Sequence, residues 1–499
     1  MLRIAENPGP SIAPALVPEP EFALVVIEPG DRGALIAGYR ALRREAFVVE
    51  QELFAGHDLD EFDEDPRTRV LVVVDRAQRV LGGVRIHPAV LDGPELAWWR
   101  GSRLVARPLP GVRAGEIGAH LVSGACRLAE QLGALRFDAH VQAHCEGFFG
   151  RLGWSRTGHM EIGGLPHVAM RWPVERIAAL ARATKSPLGG LLADGTLATG
   201  GAFAPFIGDD ATPIPNSSGM VACTDAILPA MVARDPEWAG WCGMLVTAHD
   251  LSAMGAAPVA ALDAVGARDE AAAARVLRGL REGAEMFDLP IVGGHTTLGV
   301  EGSLSVTGLG RTDRPVPAGG GRVGDALTLT ADLAGDWRPG YGHRQWDSST
   351  HRTREEMRPM LGAVAAAQPH AAKDVSMAGI VGTIGMLAEA SGCGAELDVC
   401  AIPRPDRAQL GDWLTCFPGF AMVTADAPGA PPVRAGAAVS AACGELSSAA
   451  GVRLRWPDGE VTTVIAGGVT GLGAAARLAP ATNASHGSSY DPAALAADQ

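Results

Sequence analysis

The amino-acid sequence predicts a multidomain protein of the α/β and α+β classes, with about three compact units. Three observations lead there. At 499 residues the chain is too long for one ordinary domain of roughly 150 residues. Hydrophobic residues make up 47% and charged ones 20%, the composition of packed globular domains and not of disordered or fibrous chains. Short β-branched runs alternate with helical periodicity, and the pattern changes character near 175–187 and again near 330.

Residues 1–19, rich in proline and acid, read as a disordered lead-in. The first ordered unit, 20–174, opens on the strand-like run Phe22 to Ile27. Helical periodicity follows from Arg32 to Phe54, then an acidic loop from His57 to Arg67. Arg69 to Asp75 and Val80 to His87 are β-rich. Gly115 to Leu132 has helical spacing, with Ile117, Leu121, Cys126 and Leu128 on one side. Phe137 to Val141 reads as a strand, followed by a short helix and the turn Leu152-Gly153-Trp154. A helical connector, 175–187, leads to the Gly-rich segment Leu188 to Gly201, which opens an α+β lobe spanning 188–329. A second lobe, 330–480, holds the long aromatic loop Gly335 to Glu356 and a helix from Met377 to Ala390. The aromatic loop is long enough to suggest a substrate lid. Residues 481–499 are small and polar and read as a flexible tail.

The net charge of −14 argues against a nucleic-acid binder, which needs a positive surface to displace counterions. Only Lys185 and Lys373 are lysines; the other 40 basic side chains are arginine. Eight scattered cysteines include no C-x-x-C pair, so neither a zinc site nor a disulfide framework is expected. Met1 to Phe22 lacks the apolar core of a secretory leader. No uncharged stretch reaches the ~20 apolar residues of a membrane span. A cytoplasmic protein acting on small molecules is the expectation.

Within 20–174 the most specific segments are R-E-A-F-V-V-E-Q (44–51), R-x-x-x-x-G (Arg113 to Gly118) and F-x-x-L-G-W (149–154). A helix opening near Gly115 would aim free N–H groups at an anion. With the order strand, helix, hairpin, helix, strand, these segments resemble the GNAT acyltransferase superfamily. The resemblance implies an acyl-CoA cofactor, acetyl-CoA or a longer one, with Arg113 and Gly118 at its pyrophosphate. Glu116 stands where that pattern has glycine, and Phe149 where many relatives have an acid tyrosine. Cys145, His144 or water could take its place, with Cys145 the catalytic candidate, or loss of the thiolate needs no acid. The acidic loop D-L-D-E-F-D (58–63) and G-G-V-R (82–85) are similar to acyl-homoserine-lactone synthases. Asp60, Asp63 and Arg85 either hold a polar acceptor or form a structural ion pair. His120 and His140 read as core histidines.

Downstream, four segments carry acid or paired glycine: I-G-D-D-A (207–211), C-T-D-A (223–226), H-D-L-S-A-M-G-A-A-P (249–258) and G-G-H-T-T (293–297). Asp209, Asp210, Asp225 and Asp250 each end or follow a strand-like run, and clustering them calls for a cation. Hard oxygen ligands select Mg²⁺, which binds readily with nucleotide phosphates. Gly293 and Gly294 let backbone amides approach a phosphate, and no Walker A motif is present. In this order the segments resemble the superfamily of aminoimidazole ribonucleotide (AIR) synthetase, selenophosphate synthetase and thiamine-monophosphate kinase, the PurM-like proteins. K-D-V-S-M-A-G-I-V-G-T (373–383) fits the start of that family's second lobe. The resemblance implies ATP and Mg²⁺ bound by a homodimer, with Asp209, Asp210, Asp225 and Asp250 on the metal. Thr224, Gly293 and Gly294 join as nucleotide-binding candidates, and His295 and Lys185 as catalytic ones. Lys185 either contacts phosphate or simply ends the connector helix. Asp374 either caps the following helix, which Ser376 could also do, or approaches the site.

The combined expectation is a bifunctional biosynthetic enzyme: an acyl-CoA-dependent N-acyltransferase joined to an Mg·ATP-dependent kinase or ligase that activates a carbonyl, amide or phosphate oxygen. The alternative is a first domain that senses an acyl-CoA or metabolite without catalysis. The pairing is also similar to two neighbouring families associated with bacterial nitrogen starvation, an acetyltransferase-like protein and an AIR-synthase-like partner.

Overall fold

The computed structural model describes residues 22–31, 33–193 and 201–473. The lead-in 1–19, the tail 481–499 and most of the Gly-rich segment after Asp194 lie outside the described residues. The chain divides into two compact units, at Val174 and Glu175.

Unit 1 is a seven-stranded sheet. Its strands are β1 Phe22–Ile27, β2 Arg69–Asp75, β3 Val80–Pro88, β4 Trp98–Ala106, β5 Arg136–Gln142, β6 Ser155–Ile162 and β7 Leu165–Trp172, in the spatial order β1-β2-β3-β4-β5-β7-β6. The valine run of β2 is buried on both faces, because each face carries a helix layer. Leu71 and Val73 pack with Ile117 and Leu121 of α2 (Ala114–Gln131), while Val70, Val72 and Val74 pack with Tyr39 of α1 (Ala34–Arg44). A short helix α3, Glu146–Arg151, precedes β6. The helix expected from Arg32 to Phe54 widens after Arg44 and continues as one π-helical turn, Glu45–Glu50; Glu52, at φ 52°, follows its end. Only β4 and β5 run parallel, and they pair from Trp98/Arg136 to Gly101/Ala139 and then part. A cavity of about 240 Å³ fills the gap.

Unit 2 begins with α4 (Arg176–Thr184) and α5 (Leu188–Leu191). Its first lobe is a five-stranded sheet in the order β11-β10-β12-β9-β8, from β8 Thr212–Pro213, β9 Met220–Ile227, β10 Ala257–Ala267, β11 Ile291–Leu298 and β12 Ser303–Arg311. Helices α6 (Pro229–Arg234), α7 (Pro236–Ala253) and α8 (Glu270–Met286) belong to this lobe. Glycines let α7 and α8 touch backbone to backbone: a Cβ on Gly279 would sit 1.9 Å from the Glu237 carbonyl oxygen. The second lobe has a seven-stranded sheet in the order β16-β19-β13-β20-β17-β21-β22. Its members are β13 Ala326–Ala331, β16 Ala371–Asp374, β17 Gly394–Asp398, β19 Ala421–Asp426, β20 Val439–Ser447, β21 Val452–Arg455 and β22 Val461–Ile465. Helices α9 (Arg354–Leu361), α10 (Ala363–Ala367), α11 (Gly379–Ala390) and α12 (Leu410–Thr415) complete it.

The loop expected to act as a lid is a packed strap. Within it β14 (Asp336–Trp337) pairs with β15 (Gln345–Asp347), which pairs with β18 (Phe417–Pro418). Trp346 is buried edge-on against Trp413, and Trp238 of α7 donates to Gln345 Oε1 at 2.7 Å. Two tryptophans and an arginine stacked on Trp238 anchor the segment, which explains its aromatic content without motion.

Helix α7 is buried almost all round, and its His249 is fully inaccessible. Neither ring nitrogen has a hydrogen-bond partner among the described residues, and burial pushes its pKa down to about 3. The ring stands edge-on to Phe420, in an apolar core. An unsatisfied buried polar group costs roughly 1–3 kcal/mol. His249→Leu is therefore expected to stabilise unit 2 by about 1–2 kcal/mol, read as a higher urea midpoint at unchanged m-value.

Candidate metal centre

Four distant segments bring carboxylates together in unit 2. Asp210 lies in the turn before β8, Asp225 on β9, Asp250 in the last turns of α7 and Asp374 at the end of β16. Oxygen atoms of Asp210, Asp250 and Asp374 all lie within 4.8 Å of one another. Asp225 shares its sheet face with Cys223, whose Sγ rests 3.7 Å from the Thr247 carbonyl of α7, so β9 aims Asp225 at the same helix. Asp250 and Asp374 are buried. Burial, then repulsion from Asp225 and Asp374, holds the Asp250 carboxyl well above the usual range; burial and Asp210 do the same to Asp374.

Asp210 is held at both oxygens. Oδ1 meets the Lys373 ammonium and Oδ2 accepts from the Asp374 N–H at 3.0 Å. Lys373 Nζ also donates to the Gly208 carbonyl at 3.3 Å. Lys185 approaches Asp374 from the end of α4 closely enough to lower its pKa, against the larger upward effect of burial. The remaining carboxylates have no comparable cation among the described residues. Hard oxygen donors, converging and under-neutralised, fit a small divalent ion such as Mg²⁺.

The structure departs from the sequence expectation at several positions. Asp250 follows no strand; it sits on α7, which is buried on nearly every side and so shows no amphipathic stripe by which the sequence would mark it as a helix. Asp209 turns away from the triad: its oxygens accept from the N–H groups of Asp210 and Ala318, each at 2.8 Å. Burial first, and Asp210 second, push the Asp209 carboxyl up to about 7. Asp374 caps no helix, since α11 starts after Ala378 with no side-chain cap. Of the two options open for Asp374, cap or approach to the cluster, the structure shows the second, and Lys373, absent from the expected ligands, lies beside it; the rarity of lysine was the available signal for Lys373. Thr224 points to the other face of β9, where its hydroxyl meets Thr307 Oγ1 at 3.0 Å. His295 pairs with Ala264, in the row of Ser305 and Ala226, and so also faces away from Asp225. A Cβ on Gly294 would sit 2.6 Å from the Asp263 carboxylate, so this glycine makes room for the Asp263 side chain. Gly293 lies against Leu262.

In unit 1 the candidates fall into two places. Arg85 bridges Asp60, at 2.8 Å, and Asp63, at 2.8 Å. Arg43 bonds Asp58 at 2.7 Å and Asp63 at 2.5 Å, and Arg103 reaches Asp60 at 3.0 Å. Three aspartates are thus matched by three arginines, and the loop is held by a partly buried ion network. Burial alone would raise the Asp63 carboxyl, but Arg43 and Arg85 hold it far below the usual range. Arg113 is exposed and pairs with Glu116 at 2.8 Å, just ahead of the open N-terminus of α2. Gly118 is buried beneath Phe148. Cys145 lines the β4–β5 cavity with His140, His144, Gln142 and Phe149. Burial raises the Cys145 thiol, so no thiolate is prepared there. His140 is no core histidine: it opens onto the cavity, with its pKa lowered to about 4 by burial and by Arg100.

Comparison with known proteins bears on unit 2. The family model "AIR synthase related protein, N-terminal domain" matches residues 208–312, and its C-terminal counterpart matches 321–450. An uncharacterized protein of Synechocystis is 35% identical over 230 residues, 44% of this chain and 70% of that protein. The chain belongs to the AIR synthase related family. A thiamine-monophosphate kinase of Rhodopirellula baltica is 34% identical over 221 residues, covering 40% of this chain and 66% of the kinase. The thiamine monophosphate kinase crystal structure from Aquifex aeolicus overlays with a TM-score of 0.41 at 19% identity, over 51% of this chain and 92% of its own. Within the AIR synthase related module, the carboxylate cluster draws Asp210, Asp225 and Asp250 from the first matched domain and Asp374 from the second. No described helix is long and apolar enough to cross a membrane.

Proposed function

We propose that unit 2 is an Mg·ATP-dependent phosphoryl transferase or ligase that activates a carbonyl, amide or phosphate oxygen of a small molecule. The observation that carries this reading is the convergence of Asp210, Asp250 and Asp374 within one ion's reach, with Asp225 beside them. A bound Mg²⁺ would neutralise these carboxylates and screen the charge of phosphate oxygens. Asp250 and Asp374 would hold the ion, Asp225 would share it, and Asp210 is fixed by Lys373 for the same task. Lys185, half-buried and near enough to Asp374 to act on its charge, would meet an incoming phosphate. The kinase names among the relatives favour a phosphorylated acceptor. The sheet face carrying Leu262, Ala264 and Ala226 is solvent-exposed at these residues and supports a homodimer. His295, on that face, would then serve an interface and not the metal.

A second activity for unit 1, acyl transfer from an acyl-CoA, is supported by the parting of β4 from β5 around a cavity and by the open N-terminus of α2 at Gly115. Phe149, at the cavity wall, offers no acid, and Glu116 competes at the helix start only weakly because Arg113 holds it. Binding without turnover is the sensor reading.

Differential scanning fluorimetry of the full chain tests both. Ligands that bind only the folded state raise its melting temperature. Mg·ATP should raise the unit 2 transition by several degrees, and ATP in EDTA should not. Acetyl-CoA should raise the unit 1 transition, and thiol release on adding amines separates enzyme from sensor. Equal shifts by ATP with and without Mg²⁺ would overturn the metal reading.

A further inference from the structure

We infer that Lys373 is a built-in cation of the metal centre, standing in for a second divalent ion, so that the cluster holds one such ion per chain when no nucleotide is bound. This rests on the metal reading of unit 2 proposed above. Lys373 is one of two lysines in a chain whose other 40 basic side chains are arginine. Its side chain is 5% exposed and its ammonium is spent on Asp210 Oδ1 and the Gly208 carbonyl. A planar guanidinium needs a fork of acceptors, whereas an ammonium is a compact point charge. The position therefore suits a residue that acts as an ion.

Charge accounting shows what the ammonium does. With an ion bound and all four deprotonated, Asp210, Asp225, Asp250 and Asp374 carry −4 between them, and Lys373 brings the cluster to −3. One divalent ion then leaves −1, a residue that the amide bound to Asp210 and the nearby Lys185 offset in part. Without Lys373 a single ion would leave −2 in a largely dry site, and a second ion would bring neutrality. Asp209 is not counted as a ligand, because both of its oxygens are turned to backbone amides, and it lies close enough to Lys373 for the ammonium to offset its charge as well. Closely placed carboxylates in a low-dielectric site pull strongly on any available cation. Lys373 satisfies that pull from within the chain.

The test is to count Mn²⁺ on the full-length protein without nucleotide, by equilibrium dialysis and by electron paramagnetic resonance of free ion. Wild type is expected to bind one Mn²⁺ per chain, Lys373→Met two, and Lys373→Arg one. The comparison that survives any folding defect of the single variant uses Asp210→Asn backgrounds. Asp210→Asn leaves three carboxylates facing Lys373, and Asp210→Asn/Lys373→Met leaves three alone. Both lack the same ligand, so the double variant should bind Mn²⁺ at least tenfold more tightly. Equal affinity in that pair, or one ion at wild-type affinity in Lys373→Met, would overturn the Lys373 inference while leaving the metal centre in place. A wild type that binds no Mn²⁺ would instead remove the metal reading, and this inference with it.

Discussion

Asp250→Asn is expected to melt at a higher temperature than wild type in metal-free buffer and to lose the Mg·ATP-induced shift completely. The two halves of that result have one cause. Asp250 is buried beside Asp225 and Asp374, and both burial and those neighbours oppose its charge. In the metal-free fold the carboxylate is a burden of several kcal/mol, as uncompensated buried charges are. The amide keeps the shape and removes the charge, so the unit 2 transition should rise by about 5 °C or more. With Mg²⁺ present the same carboxylate becomes a ligand, and its loss removes binding. A variant that stabilises the apo protein and abolishes the ligand response separates a functional site from a set of structural aspartates, since replacing a cap or turn aspartate destabilises.

The pH dependence must follow the same sign. Asp209, Asp250 and Asp374 have folded pKa values above the ~3.9 of an unfolded aspartate. The folded state therefore holds more protons than the unfolded one, and the stability these groups contribute falls as pH rises from about 4, through about 7 for Asp209. His249 works oppositely below its unfolded value of ~6.5, because its folded pKa is about 3. Three groups outweigh one, so metal-free unit 2 should gain stability on acidification from pH 7 toward 5. Asp250→Asn should flatten that gain, and calorimetry in EDTA across the range reads it directly. A metal-free slope of the opposite sign would contradict the crowded, under-neutralised cluster.

How much of this was legible in the sequence depends on which physical signal each residue carries. The runs Phe22 to Ile27 and Arg69 to Asp75 announce strands because valine and isoleucine fit a pleated, buried surface. Strand β4 gave no such signal: W-W-R-G-S-R-L-V-A mixes glycine and arginine, and Arg103 takes φ 55° there. The metal cluster was legible as Asp210, Asp225 and Asp250, since clustered acid needs a cation wherever it is found. Its fourth member was obscured by Ser376, which offers an equally good helix start, and Asp209 looked equivalent to Asp210 because only the fold decides which of two adjacent carboxylates meets an amide. Strand alternation puts Thr224 on the face opposite its neighbour Asp225, and inter-strand register, invisible in one sequence, does the same to His295.

Arg43→Ala should cost unit 1 about 3–5 kcal/mol, the cost of removing one partner from a buried ion network. The guanidinium is fully buried, bonding Asp58 through Nε and Asp63 through both terminal nitrogens, and it also lies 5.3 Å from the Tyr39 ring centre. Its loss leaves Asp58 with Arg103 at 3.3 Å and Asp63 with Arg85 at 2.8 Å, neither able to turn without abandoning Asp60. Whole domains are held by about 5–15 kcal/mol, so much of unit 1 should unfold at moderate temperature. Urea denaturation followed by tryptophan fluorescence would read the loss, and Arg43→Lys should recover less than half because one ammonium cannot serve two carboxylates in a fork. The acidic loop 58–63 invited a different idea, an acceptor site built from Asp60, Asp63 and Arg85. That idea predicts instead that Arg43→Ala leaves stability within about 1 kcal/mol, the scale of an exposed ion pair, and raises KM for an amine acceptor. The two outcomes do not overlap, and the geometry, with every one of these aspartates already answered by an arginine, favours the first.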